Sequence, residues 1–412
     1  MSMHNKYDII IVGGGIAGLY SAYKILKMAP ETKLLILERY KKHWLGGRTG
    51  NEIFQGVQVV NGAGVGRKEK DYLLIELLKE LKIPYKEFES THNYSSKISP
   101  PCNVKKVFNM LKNKFKEAPV NKTFKDFALP ILGSEMYKNF IICAGYTDYE
   151  NEDIRDTLYN YGFDDNYSNW TALSIPWKQL IETISRKIGS KNIRTSSNVI
   201  RIDNISPCNY LVHTDTDISY LCNKIILATT INSVQKLLPM FSIYKQIHGQ
   251  PFLRLYGKFS KSSAEIMKHY VPGYTIVSGP LKKIIPMDSN KGVYMIAYTD
   301  NKDAQYLKEH LDNTQKNRDY FCELLEEALG IPVGQLNLLS IKDFYWPIGT
   351  HYYEPLYGPF KNRKDFIKKA QNPIPGMLVV GEMISMNQGW VQGALESVES
   401  VVTKKWIESD CH

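Results

Sequence analysis

An α/β fold with a buried parallel sheet is predicted by three observations. The apolar run Asp8-Ile9-Ile10-Ile11-Val12 leads directly into a glycine cluster at 13–18. A helical pattern and a second apolar run then end on an acid, Glu38. Near the other end, Met377-Leu378-Val379-Val380 again meets a glycine, Gly381, and a helix pattern opened by glycines follows at 389–398.

The first run is uninterrupted and of strand length, as in a parallel strand buried on both faces. Gly13, Gly15 and Gly18 match G-x-G-x-x-G, with Ile16 and Ala17 in the last two variable positions. Leu19, Ala22, Tyr23 and Leu26 then fall on one helical face, and Ala29-Pro30 stops the helix. Leu34-Leu35-Ile36-Leu37 is the second strand, and it delivers Glu38 about 20 residues beyond the last glycine. The glycines allow a tight turn, a close approach to a pyrophosphate and close helix packing. The helix N-terminus offers free N–H groups to phosphate, and the acid accepts from a ribose hydroxyl. These parts in register predict a dinucleotide site. An acid at 38 disfavours a 2′-phosphate, which leaves NAD or FAD.

Composition narrows the remaining classes. The chain has 412 residues, 43% apolar and 23% charged, enough for two to three domains and an ordinary core. No apolar run reaches the roughly 18–20 residues that span a bilayer, and no signal peptide is visible, so a soluble cytoplasmic protein is expected. The net charge of +10 reads as a lysine-rich solvated surface rather than a nucleic-acid site. Its densest stretch, Lys105-Lys106 through Lys112, Lys114, Lys116, Lys122 and Lys125, alternates with apolar residues as an amphipathic helix would. Six scattered cysteines (Cys102, Cys143, Cys208, Cys222, Cys322 and Cys411) show no metal spacing and are expected to be reduced thiols. No metal site is expected.

Further motifs decide between the cofactors. After Glu38 and Arg39 comes Gly46-Gly47-Arg48, a flexible turn with a guanidinium suited to phosphate. Val59-Val60-Asn61-Gly62-Ala63-Gly64-Val65-Gly66-Arg67 is glycine-rich. Asn198-Val199-Ile200-Arg201-Ile202 and Lys224-Ile225-Ile226-Leu227-Ala228-Thr229 read as strands. Gly381-Glu382 closes the late strand, and Gly389-Trp390-Val391-Gln392-Gly393-Ala394 opens the final helix. Together these resemble the flavin amine oxidases: monoamine, polyamine and L-amino-acid oxidases. The resemblance spans the chain and is sharpest over 7–67 and 376–400.

The resemblance implies a Rossmann-like FAD-binding domain interleaved with an α+β substrate-binding domain. The first takes 1–85, 172–245 and 370–412, and the second 86–171 and 246–369. Patterning agrees with helix over 103–145 and 303–329, the latter stopped by Gly330-Ile331-Pro332, and with strands at 252–256 and 293–298. It places Gly13, Gly15, Ile16, Ala17, Gly18, Glu38, Arg39, Gly46, Gly47, Arg48, Gly64, Val65, Val199, Gly381, Glu382, Trp390, Val391 and Ala394 at FAD. Only one complete nucleotide motif occurs, which favours an oxidase using O2 and giving H2O2 over a reductase fed by NADPH.

The substrate end departs from the family. Trp390 matches one wall of the aromatic cage. In Tyr345-Trp346-Pro347-Ile348-Gly349-Thr350-His351-Tyr352-Tyr353, His351 stands where monoamine oxidases keep a tyrosine. Thr350 stands where they keep the cysteine joined to FAD, which implies non-covalent FAD. Arg254, with Lys258 next best, stands where the family keeps a lysine near the flavin. Arg67 resembles the arginine that holds a substrate carboxylate in L-amino-acid oxidases. The implied substrate is a small amine or L-amino acid, with no nucleic-acid or membrane partner. A flavoprotein of the desaturase, protoporphyrinogen oxidase or UDP-galactopyranose mutase type, or a non-catalytic FAD-binding protein, stays open.

Overall fold

The computed structural model describes residues 5–115, 121–161 and 170–409. The first four residues, Lys116 and Cys411 lie outside them. The first strand, β1 (Asn5–Val12), sits at the centre of a seven-stranded sheet. It pairs in parallel with β2 (Leu34–Leu37) on one side and with Ser219–Leu227 on the other. Met377–Val379 extends the parallel core beside Ser219–Leu227.

Alternation explains why these runs are apolar throughout. Ile9, Ile11, Leu34 and Ile36 point into a core shared with α1 (Ile16–Met28) and the helix Trp177–Ile188. Ile10, Val12, Leu35 and Leu37 point into a second core with Tyr244 and Phe366. With helices on both faces, each side chain is buried whichever way it points.

A second sheet carries the other half of the chain. Its order is Leu338–Tyr353, Ile247–Phe259, Val293–Asp300, Lys283–Asp288, Thr275–Ile276 and Asn93–Tyr94. The expected strands at 252–256 and 293–298 lie inside its second and third members. The molecule is therefore a mixed α/β protein in which the first sheet is largely parallel and the second largely antiparallel.

The helical expectations are refined. The 103–145 segment contains Val104–Phe115 and Phe124–Ala144, and the latter breaks at Gly133 (φ 71°) just after Pro130. The 303–329 helix is also two, Asn301–Leu307 and Gln315–Leu329. Thr314 caps the second by accepting from the Asn317 amide, and Asp312-Asn313-Thr314 compete with the helical backbone there. Among the described residues, no helix is long and apolar enough to cross a membrane.

The cysteine expectation is corrected. Cys102 and Cys143 form a disulfide that ties the approach to one helix to the end of the next, and Cys208 is also disulfide-bonded. Cys222 and Cys322 are buried free thiols. A spacing of 41 residues gives no local sign of pairing, because packing of Val104–Phe115 on Phe124–Ala144 brings the sulfurs together. Replacing Cys143 by serine is expected to destabilise the protein by about 2–4 kcal/mol, measured by urea unfolding.

Candidate active site

The glycine loop is built by close contacts. Gly13 has φ +108°, and a Cβ there would meet the Ala228 carbonyl oxygen at 2.4 Å. A Cβ at Gly18 would meet the Gly13 carbonyl oxygen at 2.0 Å, so α1 rests directly on the loop. Gly15 differs, since a Cβ there would meet no protein atom within 4 Å. Its face opens on a cavity of about 1020 Å³.

Glu38 is held beside this loop. Its Oε2 accepts from the Gly14 amide (2.6 Å) and its Oε1 from the Tyr40 amide (2.8 Å). The Gly46 amide donates to the Gly14 carbonyl (2.8 Å), which staples the second glycine turn onto the first. Gly47 likewise faces open space. Two adjoining backbone cradles and a helix N-terminus fit the diphosphate of a dinucleotide.

The C-terminal half closes the same cavity. Gly381 donates from its amide to Ser397 Oγ (2.8 Å), and Glu382 follows as the hub of a buried network. Glu382 Oε1 accepts from Arg48 Nη1 (2.7 Å) and from His351 Nδ1 (2.5 Å), and Oε2 accepts from the Gly389 amide (2.9 Å). Arg48 Nη1 also donates to the Gly349 carbonyl (2.7 Å). His351 Nε2 accepts from the Ile231 amide (3.3 Å), so Nδ1 is the ring nitrogen that donates. Burial would push the Glu382 carboxyl up. The His351 imidazole and the Arg48 guanidinium, with their hydrogen bonds, instead hold it well below the usual carboxylate range. The helix Val391–Glu399 starts at Trp390, and Trp390, Val391 and Ala394 line the cavity.

Every residue expected at the cofactor lines this cavity except Gly18, which packs behind it. Arg254 lines it too. Its Nε donates to the Gly62 carbonyl (2.8 Å), and Trp346 donates from Nε1 to the Asn61 carbonyl (2.7 Å). The pair clamps the glycine-rich segment in place. Lys258 turns away, donating to the Lys291 carbonyl.

Two expected site residues stand outside the cavity. Arg67 is buried and bonded to Asp71 through Nε (2.9 Å) and Nη2 (2.7 Å), with its guanidinium 3.8 Å from the Trp390 ring centre. The expected carboxylate clamp is thus taken by an internal acid. His351 is not a cage wall, because it is spent on Glu382 and the Ile231 amide.

The far end of the cavity holds residues that motif reading missed. Two Tyr-Thr-Asp triplets, Tyr146-Thr147-Asp148 and Tyr298-Thr299-Asp300, meet there. Tyr146 donates from Oη to Tyr298 Oη (3.2 Å), and Thr147 donates from both its amide and Oγ1 to Asp300. Asp148 accepts from Tyr161 Oη. Burial, and then Asp300, push the Asp148 carboxyl up to about 7, against Tyr161 and Lys283, which pull it down. Lys283 is fully buried over the Tyr146 ring, and burial holds its amine well below the usual lysine range. The repeated triplet is the signal that marks this end in the sequence.

Comparison with known proteins agrees with this fold. A putrescine oxidase bearing two substitutions superposes with a TM-score of 0.75 at 15% identity, covering 97% of this chain and 98% of that one. Wild-type putrescine oxidase bound to putrescine gives 0.74 at 14% identity, covering 96% and 98%. A protoporphyrinogen oxidase homologue from Exiguobacterium gives 0.69 at 13%, covering 99% and 100%. An uncharacterised protein of Acanthamoeba polyphaga mimivirus is 20% identical over 97% of this chain and 94% of its own length. The sequence profile of flavin containing amine oxidoreductases matches residues 130–402, well over half of the chain. The protein belongs to the flavin-containing amine oxidoreductase family.

Proposed function

We propose that the protein is an FAD-dependent oxidase of a primary or secondary amine or an L-amino acid, with FAD held non-covalently. The observation that carries this is one continuous cavity running from the glycine loop to the paired Tyr-Thr-Asp triplets. The chemistry that the cofactor supplies when bound is two-electron oxidation of the amine carbon, with O2 as final acceptor and H2O2 and a hydrolysing imine as products. The chain's own residues bind, orient and dry the site. The cradles at Gly15 and Gly47 and the N-terminus of α1 suit the pyrophosphate. Glu38 keeps lone pairs for a ribose hydroxyl beyond its two amide bonds. Phe252, Trp346 and Tyr298 exclude water from the substrate end. Asp148 and Asp300 make that end attractive to an ammonium group.

In this reading the cofactor domain takes 1–85, 172–245 and 370–412. Thr350 lines the cavity where a cysteine would be needed for a thioether to FAD. Acid precipitation is therefore expected to leave all yellow chromophore in the supernatant, and colour in the pellet would contradict it. The function itself is tested by anaerobic titration with monoamines, polyamines and L-amino acids, read as flavin bleaching. Arg254 supports the amino-acid branch, because a cavity-lining guanidinium suits a carboxylate. If that branch holds, Arg254→Ala weakens binding of amino acids far more than of amines. A yellow protein that no amine bleaches would move the assignment to the protoporphyrinogen oxidase or mutase chemistries.

A further inference from the structure

We infer that Asp148 is the base that takes the proton from the bound substrate's ammonium group, and that a small polar chamber behind it receives that proton onward. The inference rests on the amine-oxidase reading above. An alkylamine in water at neutral pH is almost entirely an ammonium ion, as lysine is. Its carbon yields hydride only once the nitrogen lone pair is free, so the cavity needs a group that accepts one proton per substrate.

The two cavity-lining aspartates are not equivalent. Both oxygens of Asp300 are engaged by the Thr147 amide, and Oδ1 also by its hydroxyl. Among the described residues, the Asp148 carboxylate accepts one side-chain hydrogen bond, from Tyr161. It is half-buried, and its open part faces the cavity. The groups around it come from several elements. Tyr146, Tyr149, Glu152 and Tyr161 share its own segment, and Tyr298 and Asp300 come from the strand Val293–Asp300. Lys283 and Arg254 come from the neighbouring strands, with Tyr274 and His92 beyond them. Their balance leaves the carboxyl close to neutrality, the poise a general base needs.

Two buried polar groups without partners point to the same route. Lys283 Nζ has no hydrogen-bond partner among the described residues, so no fixed ion pair locks Asp148 in its charged form. Thr350 Oγ1 is likewise unpartnered. It lies at a second chamber of about 20 Å³, which shares Asp148, Tyr161, Thr350 and Gln388 with the main cavity. A water needs roughly 10–15 Å³, so one fits and would satisfy Thr350. Glu152 and Asp156 line the far side, and burial followed by Asp156 pushes the Glu152 carboxyl well up. A protonated Glu152 both donates and accepts, as a relay must. In the step itself an N–H bond of the ammonium breaks and an O–H bond forms on Asp148. A buried cation and anion become two neutral groups, so charge balances.

The test uses the FAD-loaded protein and two readouts. The limiting rate of anaerobic flavin bleaching is followed from pH 6 to 10 with the best amine. Proton release on binding is counted with tert-butylamine, which has no hydrogen on its nitrogen-bearing carbon and cannot be oxidised. Asp148→Asn is expected to slow limiting bleaching by roughly 10²–10⁴-fold at pH 7, a deficit that shrinks as pH nears the amine's own pKa. The variant should release about one proton per bound tert-butylamine, against none for the wild type above about pH 8, because without oxidation the proton stays on Asp148 and does not move on into the chamber. Tyr161→Phe removes a donor to the carboxylate, so the acid limb should move to higher pH with FAD still bound. An Asp148→Asn protein with unchanged limiting rate and only weaker binding makes Asp148 a counter-ion and overturns the inference. If that variant does not fold, an unmoved acid limb in Tyr161→Phe overturns it instead. A wild-type protein that no amine bleaches overturns the function and this inference together, and is seen before either variant is made.

Discussion

Replacing Glu382 by glutamine is expected to lower stability by roughly 3–5 kcal/mol, the usual cost of stripping one partner from a buried ion pair, and to strip the protein of its flavin. One carboxylate joins four segments: Arg48 after the second glycine turn, His351 on the long strand Leu338–Tyr353, the Gly389 amide before the last helix, and its own strand end. Its side chain is 9% exposed, so water does not replace what is lost. Glutamine keeps the shape but sets an NH2 group against at least one of these three donors, where the carboxylate offered only acceptors.

The pH dependence follows from the depressed carboxyl. A group held below its unfolded value contributes stability that is full above that value, about 4.3 for glutamate, and is lost as pH falls through the folded value. The gap between wild type and Glu382→Gln should therefore be complete at pH 7 and begin to close only below about pH 4. Urea unfolding at a series of pH values, with flavin absorbance on the same samples, measures both effects. Equal stability at pH 7 would show that this carboxylate does not hold the site.

The second large effect is expected at the glycine loop, where three substitutions should behave differently. Gly13→Ala places a side chain at φ +108° and 2.4 Å from the Ala228 carbonyl oxygen. Left-handed strain costs about 1–3 kcal/mol, and overpacking adds about 1–3 kcal/mol. Gly18→Ala has no such strain but meets the Gly13 carbonyl at 2.0 Å, so α1 must lift off the loop. Both variants are expected to be colourless and less stable. Gly15→Ala is the informative contrast. Gly15 has φ −72° and open space at the Cβ position, so its stability should stay within about 0.5 kcal/mol of wild type. Its flavin content should nevertheless fall, because the new methyl occupies the phosphate cradle. Thermal melts and flavin-to-protein ratios separate these cases. Full flavin in Gly15→Ala would mean the cofactor does not approach that backbone.

The glycine-loop end of the cavity was legible in the sequence because its determinants are local. A strand, a turn, a helix N-terminus and an acid lie within the first forty residues, and each is bound by short-range backbone rules. The same holds for the late strand and the glycines before Val391. Registers such as Ile10 opposite both Leu35 and Ile225 then assemble runs whose burial on both faces was already written in their composition.

The far end of the cavity was decided by tertiary packing. Arg67 reads as a free guanidinium until Asp71, four residues on, is seen to turn inward with it on the same buried surface. His351 reads as a pocket wall until the Glu382 strand end arrives beside it. Cys102 and Cys143 read as separate thiols until two helices pack. Asp148, Lys283 and Asp300 come from segments far apart in the chain, and the raised Asp148 carboxyl and the lowered Lys283 amine arise from burial together, which no single segment encodes. The sequence alone determined the sheet, the glycine loop and the family, since those rest on local geometry and periodicity. Which charged side chains line the cavity was decided only in three dimensions, because a buried charge takes its role from the partners that packing brings to it.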